Sequence, residues 1–420
     1  MDDVTDDALL GELASLLGRA LLTGAGAAPH EVPWRGPGGR ALAVALPSDL
    51  SEVRSVVHWA RRTRTRLLPQ GAVTGLVGAS TPPPRGPRPV VLSTDALNAR
   101  TEVREADAVA VVDAGVRLSA LNAEAARVGL ELPVDLAADP SVGAMVATNT
   151  GGSRVMAHGD MSHHVLGVQA VIADETASVI GNLRGLRKDN TGPDPTRLLI
   201  GSAGALGVIT AVAVALSPIP AERSTVLVGP IPDTAAVDLL TALRQAMGGR
   251  LSAFEVMCPA AVAAGVERAR MSGGVAVGQD PDVLVLVEAS GPAGCGDDLV
   301  EAVASVNLPD TSRTDAAATP GSGVPGAVVP HAEAWGLRHG ITEGLRSQGE
   351  VLGFDLSVRP SDLPALRAGV RELVASRNPA LTVADFGHWG DGGIHANVVI
   401  PAGAGFSSAD TESLRHDVYE

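Results

Sequence analysis

Two stretches of this sequence, both dense in glycine and other small residues, decide how the fold is interpreted. They read Pro69-Gln70-Gly71-Ala72-Val73-Thr74-Gly75-Leu76-Val77-Gly78 and Ser141-Val142-Gly143-Ala144-Met145-Val146-Ala147-Thr148-Asn149-Thr150-Gly151-Gly152. Glycine permits positive φ and leaves backbone N–H groups uncovered, so such loops can direct several donors at a pyrophosphate. Neither stretch contains the Gly-Lys-Ser/Thr of a Walker loop or the GxGxxG fingerprint, which argues against ATP and the usual NAD sites. Each loop alone is equally consistent with an ordinary turn.

The composition describes a globular chain that is a poor partner for nucleic acid. At roughly 150 residues per domain, the length predicts two or three domains. With 47 acidic and 32 basic residues, the net charge of −15 has the wrong sign for binding a phosphate backbone. Cys258 and Cys295 form no CxxC pair, and the acidic N-terminus does not resemble an export signal. A cytoplasmic protein is expected.

Hydrophobic periodicity predicts a mixed first half. Leucines from Leu9 to Leu21 recur at helical spacing and predict a helix that ends at Gly24, and a second helix begins with Ser48 as its expected N-cap. Strands are predicted at 90–93, 108–112 and 208–216, a helix at 118–128, and a hairpin around 173–177. Residues 198–221 carry no charge, and this stretch is longer than a helix needs to span a bilayer. Its glycines and prolines nevertheless favour a loop followed by a strand that ends at the prolines, rather than a membrane helix.

After residue 220 the pattern changes to strands alternating with helices. Strands are predicted at 225–228, 251–257, 283–289, 353–358, 382–386 and 394–400, and helices at 235–247, 298–306, 332–347 and 363–376. This alternation predicts an antiparallel sheet backed by helices. Residues 311–327, rich in glycine, proline, serine and threonine, are typical of a mobile surface loop.

Taken together, the two glycine loops resemble the FAD-binding domain of the vanillyl-alcohol oxidase and p-cresol methylhydroxylase family, most of all its FAD-linked D-2-hydroxyacid dehydrogenases. The resemblance covers roughly residues 41–400 and continues in family order through His158-Gly159, Arg187-Lys188-Asp189-Asn190-Thr191-Gly192 and the run from Gly201 to Thr210. It implies an α+β protein with a two-part FAD-binding domain of the p-cresol methylhydroxylase type and an antiparallel, ferredoxin-like substrate domain. The expected limits are an N-terminal helix and connector at 1–40, the FAD-binding domain at 41–220, the substrate domain at 221–405 and the start of a C-terminal segment at 406–420.

The resemblance also implies a set of FAD contacts. Family positions carry over to Gln70, Gly71, Ala72, Val73, Thr74, Gly75, Pro133, Ser141, Gly143, Thr148, Asn149, Gly151 and Ile209. Two departures, Ala203 and Ala205 where the family has Glu and Thr, remove polar groups and are expected to weaken FAD binding. Some relatives attach the flavin through a histidine in the first loop. None lies between Pro69 and Gly78 here, so FAD is expected to be non-covalent.

A His-rich turn lies near the end of the chain, in Phe386-Gly387-His388-Trp389-Gly390-Asp391-Gly392-Gly393-Ile394-His395. Such a turn can bring two imidazoles toward one point, where a divalent metal such as zinc would need further ligands. A tight hairpin whose histidines only hydrogen-bond to nearby groups is the alternative. The turn resembles the family's His-x-Gly-Asp-Gly-Asn-x-His signature, which implies that His388 and His395 bind metal, although Gly393 replaces the Asn.

The family adds a downstream Glu-His-Gly segment with a third metal ligand and a possible base, and this sequence ends at Tyr419-Glu420 before any such segment. Either the sequence is incomplete or the protein is a shortened relative. With two protein ligands, metal is expected to bind weakly.

A third family resemblance concerns the pocket for the substrate carboxylate, at Trp335 to Thr342 and Gly353 to Pro360. Arg338 and Thr342, four apart on a predicted helix, share one face, and an arginine fork binds a carboxylate through two parallel hydrogen bonds. A solvated surface arginine is the alternative. Hydroxyglutarate members carry a lysine where this chain has Gly353, which favours a monocarboxylate such as lactate or glycolate.

The implied reaction is FAD-dependent oxidation of a D-2-hydroxy acid to the 2-oxo acid, with hydride passing from C2 to flavin N5. Arg338 and Thr342 would position the acid, and His395 is the preferred base among the residues present. The expected partners are a small 2-hydroxy acid and an unidentified electron acceptor, with no transmembrane segment and with a homodimer or a complex subunit open. The principal alternative is a catalytically degenerate, FAD-binding accessory subunit of a glycolate-oxidase-like complex. An oxidase of larger alcohols is a third interpretation.

Overall fold

A computed structural model describes residues 5–33, 38–75, 77–269, 278–307 and 326–420. It contains two compact units. The first comprises Met1–Gly152 and Gly159–Ile219, and the second comprises Ser153–His158 and Pro220–Glu420. The short segment Ser153–His158, which the sequence-based limits placed in the FAD-binding domain, therefore packs with the second unit.

The secondary structure of the described residues alternates throughout the chain. The helices are α1 (Asp6–Leu17), α2 (Leu50–Thr63), α3 (Leu118–Ala126), α4 (Val142–Thr148), α5 (Val155–His158), α6 (Met161–His164), α7 (Pro195–Leu199), α8 (Asp233–Met247), α9 (Pro259–Ala269), α10 (Cys295–Ser305), α11 (His331–Gln348), α12 (Leu363–Arg377) and α13 (Ser408–Tyr419). The strands are β1 (Leu21–Leu22), β2 (Ala43–Ala45), β3 (Leu67–Gln70), β4 (Val90–Ser93), β5 (Thr101–Arg104), β6 (Val109–Asp113), β7 (Leu130–Glu131), β8 (Val165–Val171), β9 (Val179–Gly181), β10 (Val208–Ala215), β11 (Ser217–Pro218), β12 (Glu222–Pro232), β13 (Leu251–Met257), β14 (Asp282–Gly291), β15 (Gly326–Val328), β16 (Glu350–Ser357), β17 (Thr382–His388) and β18 (Gly393–Ile400).

The first unit begins with a small sheet of order β1-β2-β4-β3, in which β2 and β3 run parallel to β4. Parallel strands are buried on both faces and read as continuous apolar runs, as β2 and β4 do. Two local predictions were wrong. Helix α1 ends at Leu17, because Gly18 adopts a φ of 56° that breaks the helix, and the N-cap of α2 is Asp49, whose side chain accepts a hydrogen bond from the N–H of Glu52.

The second sheet of this unit is antiparallel, in the order β5-β6-β10-β8-β9. Its central strand β10 is buried along its whole length, and α4 packs against it. This strand lies within the uncharged stretch 198–221, as predicted. Across the described residues, no helix is both long enough and apolar enough to span a bilayer.

The second unit is built on an antiparallel sheet whose described strands follow the order β15-β12-β14-β13-β17-β18-β16. Helices α9 and α11 cover one face, where they bury residues such as Met257 and Leu286. Helices α8, α10 and α12 cover the other face, over Phe254 and Val285. The sequence predicted most of these elements but neither α9 nor β15, whose first two residues fall in the predicted mobile loop. Residues 308–325, most of the predicted mobile loop, lie outside the described part of the chain.

A network of charged residues fixes α12 to the second of these faces. Arg367, with a side chain that has no solvent exposure, bonds through Nε to Asp385 of β17 and through Nη1 to Asp233 of α8, both at 2.6 Å. Arg371 pairs with the same Asp385 at 2.5 Å. Buried charges are stable only when they are paired in this way, so this cluster ties α8, α12 and β17 together.

Candidate functional site

A narrow cavity in the first unit lies where the two glycine loops meet. Its walls are backbone and short side chains from the end of β3, from α4, from the turn before β10 and from β10 itself. The lining residues are Pro69, Gln70, Gly71, Ala79, Ser80, Thr94, Gly143, Ala144, Ala147, Thr148, Ala203, Gly204, Gly207, Val208 and Ile209. Because most of these residues lack bulk, the cavity suits a thin, flat ligand that is bound largely by main-chain atoms.

Two glycines allow the elements that form this cavity to pack closely against each other. A Cβ on Gly71 would lie 2.5 Å from Oγ of Ser141 and 2.6 Å from Cβ of Ala144, and one on Gly143 would lie 2.5 Å from Cβ of Ala114. These distances are below any ordinary contact. Glycine at 71 and 143 is therefore required by close packing of the first loop on α4 and of α4 on the strand end behind it.

The hydroxyl of Ser141 is a buried polar atom with no hydrogen-bond partner among the described residues. Ser141 is fully buried, and it precedes α4 without capping it. A buried hydroxyl is normally satisfied. Ser141 packs behind Gly71 and is outside the cavity lining, so the fit to the FAD diphosphate depends on the slot of small residues.

Three residues other than glycine adopt the left-handed conformation next to this cavity. Val73 has a φ of 55°, Asn149 a φ of 49° and Ala203 a φ of 50°. A β-branched residue such as valine is rarely found there because its side chain crowds the backbone. The first loop is therefore held in a strained shape at Val73, where the chain turns away from β3.

Some of the predicted FAD residues line the cavity, and others do not. Gln70, Gly71, Gly143, Thr148 and Ile209 line the cavity, whereas Ala72, Val73, Thr74, Gly75, Pro133, Ser141, Asn149 and Gly151 are outside its lining in the described structure. The side chain of Gln70 bonds to His30 and Ser80. That of Asn149 bonds to Asp160 and Ser162. Sequence analysis did not name Ser80 or Thr94 as site residues. Thr94 follows β4 directly and bonds to the carbonyl of Gln70, which no sequence pattern indicates.

The second unit carries a separate polar cluster on the sheet face that α11 covers. The register pairs Glu255 of β13 with His388 of β17, Phe386 of β17 with His395 of β18, and Asp355 of β16 with His395. Residues paired across strands point to the same face, so these side chains share one surface. The rings of His388 and His395 meet edge to face, with centroids 5.3 Å apart. The predicted meeting of the two imidazoles is therefore present in the structure.

Arg338 reaches this surface from α11 and is not a solvated surface residue. Its side chain is 9% exposed, its Nε donates to Glu255 Oε2 at 2.5 Å, and its guanidinium stacks 4.5 Å above the centre of the Phe386 ring. In the described structure, these hydrogen bonds occupy Nε alone, which leaves the two Nη groups as donors. Thr342 lies one turn further along α11 and is half-buried.

Glu255 is fully buried between two donors. Its second oxygen, Oε1, bonds to Nδ1 of His388. Burial alone raises the pKa of this carboxyl, but the positive charge of Arg338 and the charge and hydrogen bond of His388 outweigh it, so the pKa of Glu255 lies well below its usual range. Glu255 is ionised at neutral pH. Sequence analysis missed it, although a lone glutamate in the apolar strand Leu-Ser-Ala-Phe-Glu-Val-Met was a usable signal.

His395 makes an equivalent pair with Asp355, whose Oδ1 lies 2.5 Å from its Nδ1. Burial lowers the pKa of His395, the bond to Asp355 opposes that shift, and the nearby Arg338 charge adds to it, so that the pKa lies below its ordinary value. The imidazole is neutral at pH 7. Its Nδ1 proton is directed at Asp355, which leaves the lone pair on Nε2.

A metal centre at His388 and His395 is not supported. Within the described residues, no group of three or more His, Cys, Asp or Glu side chains could hold a metal ion. Both Nδ1 atoms are already bonded to carboxylates. Two histidines alone do not complete the coordination that zinc requires, so no chemical step is derived through a metal.

Comparisons with known proteins identify both units. Residues 41–181 match the FAD binding domain family, and residues 219–418 match the C-terminal domain of FAD linked oxidases. The chain is 34% identical to the mitochondrial D-2-hydroxyglutarate dehydrogenase of Bos taurus over 93% of this chain and 69% of that protein. It is 31% identical to the D-2-hydroxyglutarate dehydrogenase of Xanthomonas citri pv. viticola over 86% of this chain and 73% of that protein. The chain thus spans about two thirds to three quarters of the length of these relatives.

A solved structure of p-cresol methylhydroxylase with substrate bound aligns with a TM-score of 0.69 at 12% identity, over 98% of this chain and 86% of that chain. At that identity the likeness concerns the fold, and it confirms the predicted p-cresol methylhydroxylase architecture. The matches define a flavoprotein with an FAD-binding domain and an FAD-linked oxidase domain. The chain belongs to the family of FAD-linked hydroxyacid dehydrogenases.

Proposed function

We propose that this protein oxidises a D-2-hydroxy acid to the 2-oxo acid, with lactate or glycolate as the favoured substrate. The observation that carries the proposal is Arg338, a buried guanidinium with two uncommitted Nη groups on the same sheet face as two carboxylate-paired histidines. A planar fork of this kind recognises a carboxylate through two hydrogen bonds and sets its orientation.

Bound FAD would supply the two-electron acceptor for the hydride that leaves C2 of the substrate. The residues of the chain have the remaining tasks. Arg338 binds the substrate carboxylate, and Thr342 is positioned on the same helix face to add a hydroxyl contact. His395 takes the hydroxyl proton at Nε2, because Asp355 holds its Nδ1 proton and its lowered pKa keeps the ring neutral. His388 orients the alcohol.

The preference for a monocarboxylate depends on position 353. Gly353 of β16 pairs with Asn397 of β18 on the same face as His395, and it offers no cation for a second carboxylate. The relatives named above are D-2-hydroxyglutarate dehydrogenases, so hydroxyglutarate is the competing substrate. Replacing Gly353 by Lys should raise kcat/KM for D-2-hydroxyglutarate relative to D-lactate by about tenfold, the effect of one added ion pair. Gly353→Met is the uncharged control.

The cytoplasmic location stays a prediction, the electron acceptor is unidentified, and both a homodimer and a complex subunit remain open. The bovine relative has "mitochondrial" in its name, whereas the Xanthomonas relative does not.

The function is tested by measuring 2-oxo acid formation with an artificial dye acceptor. Purified, FAD-loaded protein is supplied with D-lactate, glycolate, D-2-hydroxyglutarate and, as a stereochemical control, L-lactate. We expect turnover of D-lactate or glycolate with the highest kcat/KM. A preference for D-2-hydroxyglutarate would change the proposed substrate but leave the proposed reaction class unchanged. An FAD-loaded protein that produces no 2-oxo acid from any of them would favour the accessory subunit instead, in line with its Ala203 and Gly393 departures.

A further inference from the structure

We propose that Glu255 is a positioning residue of the hydroxy-acid site, in which one buried carboxylate fixes both the carboxylate-binding arginine and one of the two histidines. The inference rests on the proposed function of Arg338 and His388. It adds a residue that lies outside both predicted motifs, on a strand 83 positions from Arg338 and 133 positions from His388 in the sequence.

The first step of the argument is the geometry around the carboxylate. Oε2 of Glu255 accepts from Nε of Arg338, and Oε1 accepts from Nδ1 of His388. The Glu255 side chain has no solvent exposure, so bulk solvent does not compete for either oxygen. Each oxygen therefore determines the orientation of one functional group.

The second step is what these bonds leave available. An arginine held at Nε presents its two Nη groups as a pair, in the geometry that a substrate carboxylate accepts. A histidine bonded at Nδ1 to a carboxylate has that edge of its ring fixed, so its Nε2 is presented on the opposite edge. Phe386 completes the support, because its ring lies under the Arg338 guanidinium and beside the His395 ring at 5.4 Å between centroids.

The third step separates positioning from simple structural pairing. Glu288, on the neighbouring strand β14, is an equally buried glutamate in the same sheet. It bonds to Arg154 at 3.0 Å, to Ser252 at 2.7 Å and to the Trp335 indole at 2.9 Å. It contacts neither histidine of the cluster. Glu288 is therefore a matched control for the loss of a buried carboxylate beside an arginine.

The test compares Glu255→Gln, Glu255→Asp and Glu288→Gln in the full-length, FAD-loaded protein, with D-lactate and glycolate as the probes. Hydrogen bonds to charged groups are strong, so Glu255→Gln, which weakens the bonds to Arg338 and His388, should lower kcat/KM by about 10-fold to 100-fold with FAD content retained. Glu255→Asp, which keeps the charge, should fall between Glu255→Gln and wild type. Glu288→Gln should show the wild-type kcat and KM after correction for folded, flavin-loaded protein.

A double variant distinguishes action through Arg338 from general destabilisation. Because part of the effect of Glu255 passes through that arginine and the rest through His388, Glu255→Gln should cost a smaller factor of kcat/KM in the Arg338→Met background than in wild type, and removing both charges should also limit the loss of stability. Additive losses, or equal kinetic losses in Glu255→Gln and Glu288→Gln, would overturn the positioning role. An inactive wild type would instead refute the proposed function, which keeps the two failures distinct.

Discussion

The cavity of the first unit and the polar cluster of the second unit are built by opposite means. The cavity exists because Gly71, Gly143 and Ala144 have little or no side chain, which leaves a slot between main-chain walls. The cluster is defined by charge, with Glu255 and Arg338 ionised and buried. A site formed by main-chain atoms should tolerate few changes of side-chain size but many changes of side-chain polarity. A site formed by charged side chains should tolerate changes of size better than changes of charge. The variants below test that difference.

The largest expected effect is the loss of the arginine fork. Arg338→Met keeps most of the side-chain volume but removes the donors for the substrate carboxylate. Since losing one partner of a buried, hydrogen-bonded charge pair costs about 2–5 kcal/mol, kcat/KM for D-lactate should fall by about 30-fold to 5,000-fold. Steady-state kinetics measures the loss, and FAD content should stay at the wild-type level. Arg377→Met, at an exposed arginine that ends α12 in the same unit and pairs with Asp417, is the control and should behave as wild type.

The next prediction compares the two faces of the sheet in the second unit. Asp385→Asn removes a carboxylate that binds Arg367 and Arg371 on the face opposite the cluster. Removing one partner of a buried ion pair costs about 3–5 kcal/mol of stability, so the free energy of unfolding measured in urea should fall by that amount. The KM for hydroxy acid should not change. A large rise in KM would show that the two faces do not act independently.

The cavity should respond to size alone. Gly71→Ala introduces a Cβ about where Ser141 and Ala144 already lie, and overpacking of this kind costs about 1–3 kcal/mol. The variant should purify with less FAD, measured by flavin absorbance relative to protein. In the same loop, a Cβ on Gly78 would have its nearest neighbour at 3.9 Å, so Gly78→Ala should retain FAD. Equal FAD content in the two variants would contradict the packing argument.

The difference between these regions also explains how far sequence analysis could go. Strands β4 and β13 begin and end where the hydrophobic pattern predicted, and the glycine loops are contiguous, so the fold and the cavity could be recognised from short segments. The partners of Glu255 could not, because they meet only through the register of β13 with β17 and the packing of α11. Some cavity residues were equally hidden: Thr94 contributes through its place at the end of β4. The early end of α1 depended on the backbone conformation of Gly18, which a leucine pattern does not report.

The smallest expected effect is on the pH dependence of stability. The pKa of Glu255 is lowered in the folded protein from an ordinary value of 4.5. Its stabilising contribution is therefore complete above the unfolded pKa and is lost as the pH falls below it, since protons then bind the unfolded state first. Urea unfolding at a series of pH values should show a steeper acid loss for wild type than for Glu255→Gln. Parallel curves would contradict the ionised, paired state of Glu255.

The most direct test of the whole account is a single-turnover reaction without oxygen. FAD-loaded protein is mixed with D-lactate or glycolate, and the yellow flavin absorbance and the 2-oxo acid are measured together in wild type and in Arg338→Met. The account predicts that wild type loses its flavin colour and forms one 2-oxo acid per FAD, while Arg338→Met keeps its FAD and reacts far more slowly. Equal rates in the two proteins, or a flavin that stays oxidised in wild type with every hydroxy acid, would contradict it.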